Sequence, residues 1–244
     1  MCTLSFIPVQ HGLRIVMNRD ELRTRPPGRP PIITPIDPPR AAIHPIDPLS
    51  GGTWIAASNA GLSLALMNLN PTPAPPPPRP DRTLSRGLVI PTLISQPNAT
   101  NAIDRLRTVE LDRYAPFRLA AADHGVIITA EWDRQALRVE CSSHGPRCFV
   151  SSGLGDARVA ARHDLFQRFL ASHGASPEAQ DAFHRHEWPH QPEISVRMSR
   201  EDARTVSITT IEPTIEGGLR MTYSDDAGSC ALALPPIMLE SARA

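Results

Sequence analysis

At 244 residues, with 41% hydrophobic and 20% charged residues and a formal net charge of zero, the chain can bury one sizeable core or two small ones. A balanced charge supplies no long-range field for nucleic acid or an anionic membrane surface. No run approaches the roughly 18 consecutive apolar residues of a membrane span, and the start lacks a secretory leader pattern, so the expectation is a cytoplasmic protein without stable membrane insertion.

All 25 basic residues are Arg, which excludes chemistry that needs Lys. Cys2, Cys141, Cys148 and Cys230 read as free thiols in such a compartment. In chain order, Leu4 to Ile7 and Leu13 to Met17 are β-favouring runs joined by "PVQHG", the signature of a hairpin. Proline then dominates two stretches, 25–52 and 71–80. Neither suits regular helix or central strand, so both are expected as extended surface loops, with proline recognition as the alternative.

Between them, Trp54–Ser58 and Leu62–Met67 form a second expected hairpin around Asn59-Ala60-Gly61. Segments 85–95 and 98–110 read as helical, the latter capped by Asn98 or Thr100. Strands are expected over 117–123, 125–133, 136–141 and 148–152. A helix follows over 155–174, with Val159, Phe166, Phe169 and Leu170 on one face, and a second starts at Ser176 with Pro177 in its first position. Strands return over 205–212, 218–226 and 229–235. This order suits one α+β domain, 1–244, of antiparallel sheets covered by helices.

Cys2 is the first candidate for chemistry. Methionine removal is favoured before a small residue, and it would give Cys2 an α-amine of ordinary pKa about 7.7–8.0 beside a thiol of about 8.5. Such an amine is a general base for its own side chain. In an antiparallel hairpin the start of one strand lies beside the end of the next, which brings Asn18, Arg19 and Asp20 next to Cys2. There Asp20 is the candidate partner of the α-ammonium, and Arg19 or Asn18 of a ligand oxygen. The competing reading is a solvated strand end beside a small buried cysteine.

His184, His186 and His190, and the looser group Cys141, His144 and Cys148, lack the paired spacing of a structural zinc site, so no metal site is predicted. Either group has haem-ligating residue types, but spacing selects none of them. Trp54 and Trp132 read first as core residues.

"MCTL" (1–4), "MNRDE" (17–21), "GGTW" (51–54) and "SRG" (85–87), with "SSGLGD" (151–156) and "ARTVSITTIE" (203–212), resemble the NRDE family, also called transport and Golgi organization protein 2. The resemblance covers most of the chain and implies a four-layer α-β-β-α sandwich similar to N-terminal nucleophile hydrolases. Its opening is similar to the penicillin V acylase and bile-salt hydrolase group, in which a Cys nucleophile works beside an Arg and an Asp of the second strand.

Carried over, the resemblance makes Cys2 nucleophile and base, with Asn18, Arg19 and Asp20 its polar neighbours and Asn68 part of an oxyanion pocket. Trp54, Arg86 and Arg204 become ligand-binding candidates, Arg204 for a ligand anion. Two positions depart from the family pattern: Ser152 stands where an Asn is expected, and Arg204-Thr205-Val206-Ser207 replaces an unbroken Thr-Arg-Ser. The implied role is a cysteine amidohydrolase or acyl transferase acting on a small amide or thioester, with no cofactor required. Association of family members with haem movement and with lipid and acyl-CoA metabolism implies the alternative, a non-catalytic carrier of haem or acyl lipid. An interaction protein working through its proline-rich loops is the third reading.

Overall fold

The computed structural model describes residues 2–71, 73–76, 83–143 and 145–237, with Ser143 described by its backbone alone. Among these, Cys2–Val9 (β1) and Gly12–Leu22 (β2) form the first hairpin, turning at His11 with φ 76. Arg29–Asp37 (β3), Arg40–Ile46 (β4), Ile55–Ser58 (β5) and Ser63–Asn68 (β6) follow. After a short 3-10 turn come Val89–Leu93 (α1) and Ala99–Leu106 (α2). Asn98 caps the latter, its side chain accepting the Asn101 N–H at 2.9 Å.

Phe117–Asp123 (β7), Val126–Trp132 (β8), Leu137–Ser143 (β9) and Arg147–Ser151 (β10) lead to Ala161–His173 (α3) and Pro177–His184 (α4). The last strands are Ala203–Pro213 (β11), Leu219–Asp225 (β12) and Gly228–Leu234 (β13). The helix expected from 155 begins as a 3-10 turn, Asp156–Val159, before α3. In α4, Ser176 accepts the Ala179 N–H and Pro177 opens the helix.

Two antiparallel sheets result, ordered β10-β1-β2-β11-β12-β13 and β3-β4-β5-β6-β7-β8-β9. Side chains alternate between faces along each strand. Leu4, Phe6, Ile15, Met17 and Met221 of the first sheet thus meet Ile55, Ala65, Met67 and Ala120 of the second. The outer face of the second sheet, through Leu64, Leu66 and Leu119, packs on Val89, Leu93, Ile103 and Leu106 of α1 and α2. On the outer face of the first sheet, Ile7 packs with Leu165, Phe166 and Phe183 of α3 and α4. The α-β-β-α sandwich is therefore observed.

The stretch 25–52 departs from expectation: it is not a loop but contains β3 and β4. β3 is an edge strand with register shifts after Arg29 and after Pro35, so its prolines forfeit few ladder hydrogen bonds. β4 pairs with β5 only through Ala42 and Ile43, which leaves Pro45 beyond that ladder. The second proline-rich stretch lies partly outside the described residues, at 72 and 77–80.

Candidate active site

Strand register assembles the site. Cys2 stands directly opposite Arg19, and Thr3 opposite Asn18. Opposed residues share a face, so Cys2 and Arg19 turn toward the second sheet while Thr3, Asn18 and Asp20 belong to the helix-covered side. At the open ends of the strands Cys2, Arg19 and Asp20 line one cavity of about 330 Å³. Trp54, Asn68 and Arg86 complete its wall with Glu21, Arg25 and Asp47. The Arg19 guanidinium lies 4.2 Å from the centroid of the Trp54 ring.

The motifs "GGTW" and "SRG" come together through their glycines. A Cβ built on Gly52 would lie 2.4 Å from the Gly87 carbonyl carbon, and the Thr53 N–H donates to the Gly87 carbonyl at 3.0 Å. Only glycine permits this main-chain approach. It fixes Trp54 and Arg86 on adjoining walls of the cavity.

Asp20 is buried and held from two sides. The Thr205 hydroxyl donates to its Oδ1 at 2.6 Å, and the Arg162 guanidinium of α3 lies 3.8 Å from its Oδ2. Arg162 also donates to the Thr3 hydroxyl at 2.8 Å and to the Ile194 carbonyl at 3.0 Å. The register shift between Thr205 and Ser207 aligns these residues with Asp20 and Arg19, which are adjacent. The extra residue, Val206, re-aims Thr205 toward Asp20 as bulges beside sites do.

Burial pushes the Asp20 carboxyl above its ordinary value, against the opposing pull of Arg162 and Thr205. Burial also raises the Cys2 thiol, opposed in part by the Asp20 backbone N–H. A raised thiol is a weak nucleophile until a nearby base takes its proton.

Two predicted site residues are not brought to this cavity. Asn18 is fully buried behind Thr3, where its Nδ2 donates to the His184 and Val196 carbonyls, each at 2.9 Å. Its Oδ1 accepts from His184 Nδ1 at 2.7 Å, so its polar groups are spent on holding α4. Arg204 pairs with Asp226 and does not line the cavity. Ser152 is also buried away from the cavity, in a turn where its N–H donates to Asp156 at 2.8 Å.

Sequence reading missed Arg162, a wholly buried Arg, because an Arg in an ordinary helix reads as solvent-facing. Its spacing of three and four residues from Leu165 and Phe166 was the available signal, since it shares their buried stripe.

Among the described residues, no group of three or more His, Cys, Asp and Glu is arranged to hold a metal ion. His144, of the looser Cys-His group, lies outside the described residues. No helix among them is long and apolar enough to cross a membrane.

The profile of the family described as Transport and Golgi organisation 2 matches residues 1–188. The chain belongs to this family. No curated protein matches its sequence significantly. Among solved structures, penicillin V acylase from Agrobacterium tumefaciens is similar at TM-score 0.59 and 10% identity, covering 96% of this chain and 86% of that one. A variant of conjugated bile acid hydrolase from Clostridium perfringens aligns at TM-score 0.57 and 10% identity, over 96% and 92% of the two chains. The Caenorhabditis elegans ortholog of N-acylethanolamine-hydrolyzing acid amidase gives TM-score 0.56 and 13% identity, over 86% and 92%. At such identities the likeness establishes the N-terminal nucleophile hydrolase fold and leaves activity to the site.

Proposed function

We propose that this Transport and Golgi organisation 2 family member is an N-terminal-cysteine amidohydrolase, or an acyl transferase of the same chemistry, acting on a small amide or thioester. The observation that carries this reading is Cys2 lining a polar cavity, opposite Arg19 and in company with Asp20 and Asn68.

Removal of Met1 frees the Cys2 α-amine. That amine takes the thiol proton as Sγ attacks the carbonyl carbon, and the Asn68 amide donates to the oxyanion that forms. Collapse expels the amine or thiol leaving group, which takes the proton back, and a thioester remains on Cys2. Water, deprotonated by the same α-amine, then releases the carboxylic acid and restores the thiol. In acyl transfer a second nucleophile replaces water. Asp20 stabilises the α-ammonium, and Arg19 orients the ligand.

Intact mass of protein purified from its host tests the first step, because retained Met1 defeats the mechanism. With Met1 removed, Cys2 should react with iodoacetamide faster than Cys141, Cys148 and Cys230, and Cys2→Ala should abolish amide and thioester turnover. The carrier role predicts the opposite pattern, in which haem or acyl-CoA binds tightly, the binding survives Cys2→Ala, and no turnover is seen.

A further inference from the structure

The charges of the cavity wall are unevenly matched. Arg19 and Arg25 share two carboxylates: Arg19 lies 3.4 Å from Glu21 and 3.8 Å from Asp47, and Arg25 lies 3.7 Å and 2.5 Å from the same pair. Asp20 has Arg162 behind it. Arg86, in contrast, donates through Nη1 to the Pro116 carbonyl at 3.0 Å and forms no ion pair with any described carboxylate. Three guanidinium groups and three carboxylates line the cavity, but Asp20 is paired from behind by Arg162, which leaves Arg86 as the lining cation without a carboxylate partner among the described residues.

Two further donors in this wall are unspent. Arg19 Nη1 and Trp54 Nε1 are buried without a hydrogen-bond partner, on residues 4% and 6% exposed. Burial pulls Arg86 below its ordinary value, and Arg86 and Cys2 line the same cavity. The volume of about 330 Å³ is at the low end for small-molecule sites.

We propose that the cavity selects a small acyl compound carrying a carboxylate remote from its reacting carbonyl. The carboxylate pairs with Arg86. The reacting carbonyl rests on the amidohydrolase reading above, whereas the anion site does not. An Arg guanidinium suits a carboxylate because its planar fork donates two parallel hydrogen bonds.

The test compares mature protein acting on succinamate and glutaramate, on the uncharged amides butyramide and valeramide, and on cationic 4-aminobutyramide, with calorimetric binding of the same compounds to Cys2→Ala. The anionic amides should exceed their neutral counterparts by about tenfold or more in kcat/KM and in affinity, with the cationic amide last. Raised salt and Arg86→Met should each shrink that ratio. If Arg86→Met fails to fold, the ligand series on the unaltered active site still decides.

Hydrolysis without an anionic preference overturns the proposal and leaves the amidohydrolase reading intact. Anion-selective binding to Cys2→Ala with no hydrolysis by the mature protein supports the anion site and overturns that reading. Absence of binding by every member of the series overturns the proposal.

Discussion

Arg162 stands 3.8 Å from Asp20, and neither side chain has any exposed surface. The pair joins a helix on the outer layer to the strand end that carries the candidate site. It lies behind the cavity rather than in it, since Asp20 lines the cavity and Arg162 does not. Arg162 is therefore a positioning residue, acting through Asp20.

Removing one member of a buried ion pair leaves the other charge undercompensated. Arg162→Met should lower the unfolding free energy in urea by about 3–5 kcal/mol. Adding Asp20→Asn should recover part of that loss, because the second substitution removes the stranded charge. Equal and additive losses would contradict coupling between the two. In any active preparation, Arg162→Lys should shift the acid limb of the pH–rate profile, a change that loose packing alone does not produce.

Asn68 ends β6 on the wall of the cavity. If it donates to the oxyanion, Asn68→Ala should lower kcat by about a hundredfold with little change in KM. A rise in KM at constant kcat would assign it to ground-state binding instead.

Gly52 has no room for a side chain against Gly87. Gly52→Ala should destabilise the protein by about 1–3 kcal/mol in denaturant unfolding. It should also weaken ligand binding, because it separates the walls that carry Trp54 and Arg86. Unchanged stability would mean that the two loops part easily.

His184 predicts a pH response. It is wholly buried, with Nε2 2.6 Å from the Ser5 hydroxyl and Nδ1 2.7 Å from Asn18 Oδ1. Asn18 spends its amide N–H groups on two carbonyls, so its Oδ1 must accept from Nδ1–H. Gln180 donates to Ser5 Oγ at 2.8 Å, which leaves the hydroxyl proton for Nε2. The network therefore holds a neutral ring. Burial, reinforced by Arg14, Arg162 and Arg185, holds its pKa well below the ordinary value.

The unfolded chain's imidazole takes a proton near about pH 6.5, so the stabilisation is complete above that pH and is lost as the pH falls below it. Unfolding free energy should decline between about pH 6.5 and 5, before most carboxylates titrate. His163 and His186, also lowered by burial, act in the same direction, and Asp20, raised by burial, acts against it. Subtracting the curve for His184→Gln isolates the His184 share. A difference that does not vary with pH would contradict a neutral buried ring.

Much of the architecture was legible because alternation and turn chemistry are local. The first hairpin followed from two apolar runs and a turn, and its register alone put Arg19 opposite Cys2. Adjacency in sequence was less reliable at the site itself. Asn18 and Asp20 flank Arg19 but face the opposite way, and only the strand-end position of Asp20 returns it to the cavity. Proline hid β3 and β4, since its cost in a strand depends on which neighbour it would pair with. Arg204 was carried over from the family resemblance, and pairing with Asp226 places it outside the cavity that Cys2 lines.

The Gly52–Gly87 contact joins two walls of the cavity by main chain alone. Rim side chains such as Leu84 and Ala115 are then relieved of any duty in holding that junction. Substrate scope is open to redesign at those two positions, while the two glycines stand as the hinge pin that no such redesign should touch.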